Sequence, residues 1–494
     1  MIPLIRPLLA LPLAAFTAAT AAPDPAASPR PNVLFIAIDD LRTALGAYGD
    51  PHAITPNIDR LAASSRVFLG AYAQQAVCGP SRASLLTGKL PDNIQVWHNR
   101  NLFRNVRPDI VTMPELFKQH GYKSIAFGKL FSGQVSEEDP QSWTVPATVR
   151  QPGWNNYVEA RNERGKGAAW EAADVPDNGY TDGKIADLAL EALTGFSQSG
   201  ESFFLGVGFL KPHLPFNAPK RYWDLHDPAK FEINDPRIEV TGAPQLAYWP
   251  HRELGGYRNI PADERVDPET ARTLRHGYYA CVSYVDAQVG KLLAKLTELG
   301  LADNTIIVLW GDHGFALGEI NRWAKGTNFE VDNRVPLMIH APGLTAPGTA
   351  TPALVELVDI YPTIAALAGL PAPSSLDGTS LVPQLKDPSA PGRHAVLSQY
   401  RRPINPRTPD FMGYSVRTLS YRYTRWIDWR TRATVAEELY DYGNSNSVER
   451  MNSFLIEHAN VVTAPALQPT LQELRVTLDH MLSTRSELHG APRR

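Results

Sequence analysis

Three apolar runs stand out along the chain, at 33–38, 203–207 and 305–310, the last opened by Thr305. Continuous runs of this length read as strands covered on both faces, as in a parallel sheet flanked by helices. Shorter runs at 124–127 and 336–339 extend the set. Between them the apolar period lengthens to that of a helix. Leu274, Tyr278, Cys281, Val285, Val289 and Leu292 fall on one helical face, and Thr55-Pro56 supplies an N-cap and first position ahead of Ile58. Strands alternating with helices predict a doubly wound α/β sheet, whose ligands gather at the carboxyl ends of the strands.

The pattern changes late in the chain. Residues 370–391 are rich in Pro, Ser and Gly, which places a boundary near 391. Beyond it, 395–398, 414–418 and 421–426 mix polar and apolar residues as a small antiparallel sheet does. Leu471, Leu474, Leu478 and Leu482 then line one face of a final helix. The expectation is a main α/β domain over 32–391 and a smaller α+β subdomain, an antiparallel sheet plus a helix, over 392–494.

At 494 residues the chain has ample core for that plan. Its formal net charge is −3 with no block of like charges, which argues against nucleic acid and acidic membrane surfaces as partners. Proline, 42 residues of the 494, exceeds its usual share of ~5% and implies many ordered loops. Residues 1–22 have the arrangement of a signal peptide: Arg6, an apolar stretch, then Thr20-Ala21-Ala22. A Pro/Ala/Ser leader follows over 23–31. No later segment is apolar for long enough to cross a bilayer. The expectation is an exported protein, periplasmic or extracellular, without stable membrane insertion.

Candidate chemistry gathers at the strand ends. Asp39-Asp40 follows the first apolar run, and Asp312-His313 follows the run at 305–310. Converging carboxylates of this kind suit a hard cation, Ca²⁺ before Mg²⁺. Cys78, one of only two cysteines, opens Cys78-Gly-Pro-Ser-Arg82-Ala-Ser-Leu-Leu-Thr-Gly88. Pro80 predicts a helix start just after Cys78, Gly88 its end, and Arg82 a guanidinium returned to the helix start to fork onto oxyanions. A buried inert thiol, or a disulfide to Cys281, is the plainer reading of Cys78, although Cys281 falls on a core helical face. Lys129, after the strand at 124–127, and Lys325 supply point charges for an anion. His213, in Lys211-Pro-His213-Leu-Pro, has the side chain suited to protonating a leaving alcohol.

The Cys78 run matches C-x-P-S-R-x-S-L-L-T-G at every specified position, and through it the chain resembles the sulfatase family. The likeness extends through 203–216, Asp312-His-Gly-Phe-Ala-Leu-Gly-Glu, Trp323-Ala-Lys-Gly-Thr-Asn-Phe, 355–363 and 412–418, and is greatest to the iduronate-2-sulfatase-like branch. The resemblance implies an alkaline-phosphatase-like fold and hydrolysis of a sulfate ester on a sugar. It implies that Cys78 is oxidised to formylglycine (3-oxoalanine) by a maturation enzyme. It implies one Ca²⁺ held by Asp39, Asp40, Asp312, His313 and modified Cys78. It assigns Arg82 and Lys129 to the formylglycine and sulfate, and His213 and Lys325 to the leaving oxygen.

The chain departs from its branch at four positions: Ser132 and Ile320 stand where relatives carry histidine, and Phe315 and Gly326 replace a tryptophan and a tyrosine. Two rival functions share these residues. One is a formylglycine-dependent phosphodiester or phosphonate-ester hydrolase; the other is a catalytically silent binder of sulfated glycans.

Overall fold

The computed structural model describes residues 30–131, 138–148, 155–159, 167–233, 239–248, 253–344, 348–403, 409–443 and 456–485. The signal-peptide segment and all but the last two residues of the leader lie outside them, as does Ser132. Pro31–Arg494 forms one compact unit.

Its frame is an eight-stranded sheet of β1 (Asn32–Ile38), β2 (Arg66–Tyr72), β3 (Lys123–Gly128), β4 (Phe203–Phe209), β5 (Thr305–Gly311), β6 (Arg334–Val335), β7 (Leu337–His340) and β8 (Thr349–Glu356). Beginning at one edge, the order is β8, β2, then β6 and β7 together, β5, β1, β4 and β3. β1 lies at the centre, Ile36 pairing with Val207 on one side and Leu309 on the other. Alternate residues of β1 feed opposite layers, as a period of two requires. Leu34, Ile36 and Ile38 pack with Tyr278, Val285 and Leu292 of the helix Pro268–Glu298. Val33, Phe35 and Ala37 pack with Leu85, Phe117 and Ile364 on the other face. Buried Cys281 belongs to the first layer, and both cysteines are free, which removes the disulfide reading.

The sheet is mixed. β7 runs antiparallel to both β5 and β2. Between β5 and β7 the chain forms a short hairpin (Ala316–Leu317 with Trp323–Ala324), the helical turn Glu330–Asn333 and β6 before it runs back beside β5.

The C-terminal sheet is β9 (Val396–Arg402), β10 (Phe411–Arg417), β11 (Tyr421–Asp428) and β12 (Thr434–Asp441), antiparallel in chain order. Leu471, Leu474, Leu478, Met481 and Leu482 of the helix Gln468–Arg485 cover Val416, Tyr423 and Leu439. The alternation expected at 395–426 marks three of these strands; the fourth carries adjacent Glu437 and Glu438 and lacks that signal. β9 docks beside the segment leading to Cys78: the Gln399 amide donates to Gln74 O at 2.8 Å and Ser398 Oγ to Ala73 O at 2.7 Å.

Candidate active site

Parallel strands end on one edge of a sheet, so register sets residues far apart in sequence side by side. Asp39 and Asp40 follow β1, Asp312 and His313 follow β5, Lys129 follows β3, and His213 lies beyond β4. Asp40 takes φ 60°, uncommon for a residue with a side chain, and its amide donates to Asp312 Oδ1 at 3.0 Å. That bond ties the two acidic strand ends together. Gly128, before Lys129, has φ 79°, and a Cβ there would meet the Gly208 carbonyl at 2.0 Å. Only glycine lets the chain leave β3 at this angle.

The helix bearing Cys78 spans Cys78–Thr87 and ends at Gly88 with φ 66°. It starts at Cys78 itself, so Pro80 sits in the first turn, where a missing N–H costs nothing. The Gly79 amide donates to Asn99 Oδ1 at 2.8 Å, and Ser81 Oγ donates to the Asp312 carbonyl. The helix start is thereby fastened to the end of β5.

Cys78 Sγ lies 3.3 Å from His313 Nε2 and 3.9 Å from Asp40 Oδ1, and His313 Nε2 lies 3.3 Å from Asp40 Oδ1. His313 Nδ1 is 2.9 Å from the Gly314 carbonyl, which fixes the proton on Nδ1 and turns the Nε2 lone pair toward the sulfur. Asp39 Oδ1 and Oδ2 lie 2.8 and 2.7 Å from Lys129 Nζ, and the same distances separate the Asp40 oxygens from Lys325 Nζ. Ligand atoms of Asp40, Cys78 and His313 fall within 4.8 Å of one another, and so do those of Asp39, Cys78 and Asp312.

The two aspartates differ in acidity. Burial alone would raise both. At Asp39 the paired charges of Lys129 and Arg82 overturn it and hold the carboxyl well below its ordinary range. Asp40 is pushed up to about 7 by burial, against Lys325 and aided by repulsion from Asp39. Burial, with Asp39 beside it, also raises the Cys78 thiol well above its ordinary value. Burial lowers His213 to about 4, Lys325 acting in the same direction and Glu253 against it.

All nine expected residues converge, with adjustments. Arg82 is fully buried and spent on protein acceptors: Nε to Asp312 Oδ2 at 2.7 Å, Nη2 to Asp39 Oδ1 at 3.2 Å and Nη1 to the Lys129 carbonyl at 2.6 Å. Its charge supports the carboxylates from beneath. Phe315 is wholly buried, stacked on Tyr278 with centroids 5.6 Å apart. Gly326 takes φ 111°, closed to ordinary side chains, and its carbonyl accepts from Arg402 Nη1 at 3.2 Å. Ile320 packs with Val240, Phe329 and Tyr440. His213 is held by its loop: the amides of Leu210 and Lys211 donate to Asp182, and Lys211 Nζ donates to the carbonyls of His213 and Pro215 at 2.9 and 2.6 Å.

One acidic residue escapes the sequence reading. Glu253 lies 3.2 Å from His213 Nε2, and its Oε2 lies 2.9 Å from Lys325 Nζ. It follows no strand and sits in no motif, so no local signal marks it.

A sequence model of the sulfatase family matches residues 31–370, and a model of the N-sulphoglucosamine sulphohydrolase C-terminal region matches 318–477. Iduronate 2-sulfatase of Homo sapiens is 36% identical over 469 aligned residues, covering 80% of this chain and 85% of that protein. Among solved structures, phosphonate monoester hydrolase from Silicibacter pomeroyi superposes with a TM-score of 0.73 at 25% identity, over 92% of this chain and 96% of that one. A protein solved with its substrate D-glucosamine-2-N,6-O-disulfate gives 0.71 at 23% identity, over 93% and 99%. The fold is alkaline-phosphatase-like.

Proposed function

The chain belongs to the sulfatase family and hydrolyses sulfate esters; on that premise we propose an exported, Ca²⁺-dependent enzyme that removes sulfate from sugars through formylglycine made from Cys78. The observation that carries the proposal is the meeting of Cys78 Sγ, Asp40 and His313 within 4 Å, beside Asp39 and Asp312.

The residues fit both added groups. A thiol attacks as its thiolate, and burial beside Asp39 keeps this one protonated. Cys78 is therefore poorly suited to attack as cysteine, yet it stands at the focus of the site. Three buried carboxylates with a histidine ring nitrogen turned the same way suit a hard divalent cation. Asp39, Asp40, Asp312, His313 and modified Cys78 would hold Ca²⁺. When present, the hydrated aldehyde supplies the nucleophilic oxygen and a second hydroxyl for sulfate release, and the ion supplies charge that favours the ionised oxygen.

The remaining chemistry belongs to the chain itself. Lys129 and Lys325 set two ammonium groups where a sulfate would gather negative charge. Arg82 keeps Asp39 and Asp312 ionised and in place. His213 gives its proton to the departing sugar oxygen. The implied partners are a sulfated carbohydrate and a maturation enzyme acting on Cys78.

Likeness to a phosphonate monoester hydrolase keeps a second reading in view, since tetrahedral phosphorus and sulfur esters share their geometry. The matured enzyme is to be assayed side by side on 4-nitrophenyl sulfate and 4-nitrophenyl phenylphosphonate. The expected result is a higher kcat/KM on the sulfate, together with sulfate release from sulfated glycosaminoglycan or algal fragments. Preference for the phosphonate, with no sulfate released from any sugar, would select the rival.

A further inference from the structure

Asp40 sits in a left-handed turn, at φ 60°. Beside a side chain, backbone of this kind persists only where its surroundings fix it. At one end the Asp40 amide donates to Asp312 Oδ1 at 3.0 Å. The other end rests on a residue far along the chain. Tyr278, wholly buried on the helix Pro268–Glu298, donates its hydroxyl to the Asp40 carbonyl at 2.9 Å and accepts from the Arg42 amide at 3.0 Å. One oxygen thus satisfies both the carbonyl of Asp40 and the amide two residues on. The tyrosine ring stacks on Phe315, centroids 5.6 Å apart, and meets Phe216 edge-on at 5.7 Å. Phe315 follows Asp312-His313 and Phe216 follows His213, so Tyr278 packs against the segments that leave β1, β4 and β5. The Arg42 side chain adds a second tie, Nη1 donating to Glu319 Oε1 at 2.8 Å and to the Phe315 carbonyl at 3.3 Å.

We infer that Tyr278 is a positioning residue for calcium: its hydroxyl holds the Asp40 turn so that the carboxylate stays beside Cys78 and His313. The inference rests on the reading of Asp40 as a calcium ligand. Tyr278 acts through the Asp40 backbone, not on the ion itself. Without the hydroxyl, the Asp40 carbonyl and the Arg42 amide are left buried and short of a partner. The turn then relaxes to recover them, and the Asp40 carboxylate leaves its place among the other ligands. Groups that orient metal ligands in this way contribute ~10–100-fold to metal affinity. The fold contains a matched tyrosine. Tyr48, also buried, accepts from the Leu337 amide at 2.8 Å and donates to the Phe68 carbonyl at 3.0 Å. It joins β2 and β7, which carry none of the proposed ligands.

The test titrates Ca²⁺ into chelator-treated, matured full-length enzyme, read by calorimetry, with thermal melts of the same samples. Tyr278→Phe keeps the ring and removes only the oxygen. It should weaken calcium binding by ~10–100-fold, and added calcium should return kcat to within ~3-fold of wild type. Tyr48→Phe should lower the melting temperature by a similar amount, yet leave calcium affinity within ~2-fold of wild type. An equal loss of affinity in Tyr48→Phe would mark a general loosening of the fold and overturn the inference. If wild-type enzyme takes up no calcium, the metal reading fails and the role of Tyr278 with it. If wild type binds one ion and Tyr278→Phe binds it as tightly, only the role of Tyr278 fails.

Discussion

Two buried clusters of carboxylates and cations, one at the ends of β1 and β5 and one where the C-terminal sheet meets the main sheet, have nearly the same electrostatics. In the second, Glu330 accepts from Arg417 Nε at 3.0 Å, Arg422 Nη2 at 2.5 Å and Tyr72 at 2.8 Å. The two guanidiniums overcome burial and hold it at about 2, while neighbouring Glu457 is pushed up to about 7 by burial and by Glu330. Asp39 and Asp40 repeat that division, one carboxyl pulled down by two cations and its neighbour raised to about 7. Displaced acidity therefore does not locate the site. What differs is the company. Glu457 Oε1 is taken up by donors of the protein: Tyr442 at 2.5 Å, the Glu330 amide at 2.7 Å and Arg422. Asp40 faces a thiol, an imidazole lone pair and a lysine on a flexible stem. Arginines alone answer the carboxylates of the second cluster, whereas the first adds Lys129 and Lys325 to the Arg82 fork.

The sharpest way to break this contrast is to strike each cluster at its centre. Cys78→Ala should cut sulfate-ester turnover by ~10⁴-fold or more while leaving the melting temperature nearly unchanged, read by released sulfate and by calorimetry. Next in size, Asp40→Asn should lower activity by ~10²–10³-fold and abolish stoichiometric calcium, measured by elemental analysis of purified protein.

The opposite outcome is expected where the C-terminal sheet meets the main sheet. Glu330→Gln leaves Arg417 and Arg422 short of a counter-charge and should cost about 3–5 kcal/mol of stability, seen as a lower denaturation midpoint. Activity per folded molecule should be within a few-fold of wild type. A variant that keeps its stability but loses turnover would merge the two clusters into one functional unit.

The smallest effect is the acid limb. Glu330 and Glu356 both sit at about 2 in the folded chain, against an ordinary 4.5; burial opposes this, and Arg417 with Arg422, or Arg485 with Arg393, overcomes it. The unfolded chain binds their protons first, so their stabilisation is complete above pH 4.5 and is lost progressively as pH falls toward 2. Thermal melts over that window should show a steep decline in wild type and a shallower one in Glu330→Gln.

Much of this was legible in the chain. The runs at 33–38 and 305–310 announce buried strands, and their terminal aspartates fall where a parallel sheet gathers ligands. The Cys78 run marks the helix that brings the sulfur there. What escaped depends on partners distant in sequence. Arg82 looks free to fork onto an anion until Asp312, 230 residues away, claims it. Phe315 replaces a bulkier residue of the relatives, yet its stacking on Tyr278 is visible only once the helix Pro268–Glu298 is packed. Glu253 carries no signal at all, since its meaning comes entirely from His213 and Lys325. The return of β7 beside β5 depends on the path taken by residues 312–336, which an apolar run cannot report.

The most direct test of the central claim is the mass of the peptide holding Cys78, taken from active enzyme made in its own host. An aldehyde is expected in place of the thiol, captured as a hydrazone by a carbonyl reagent, in step with specific activity. An intact cysteine in fully active protein would contradict it.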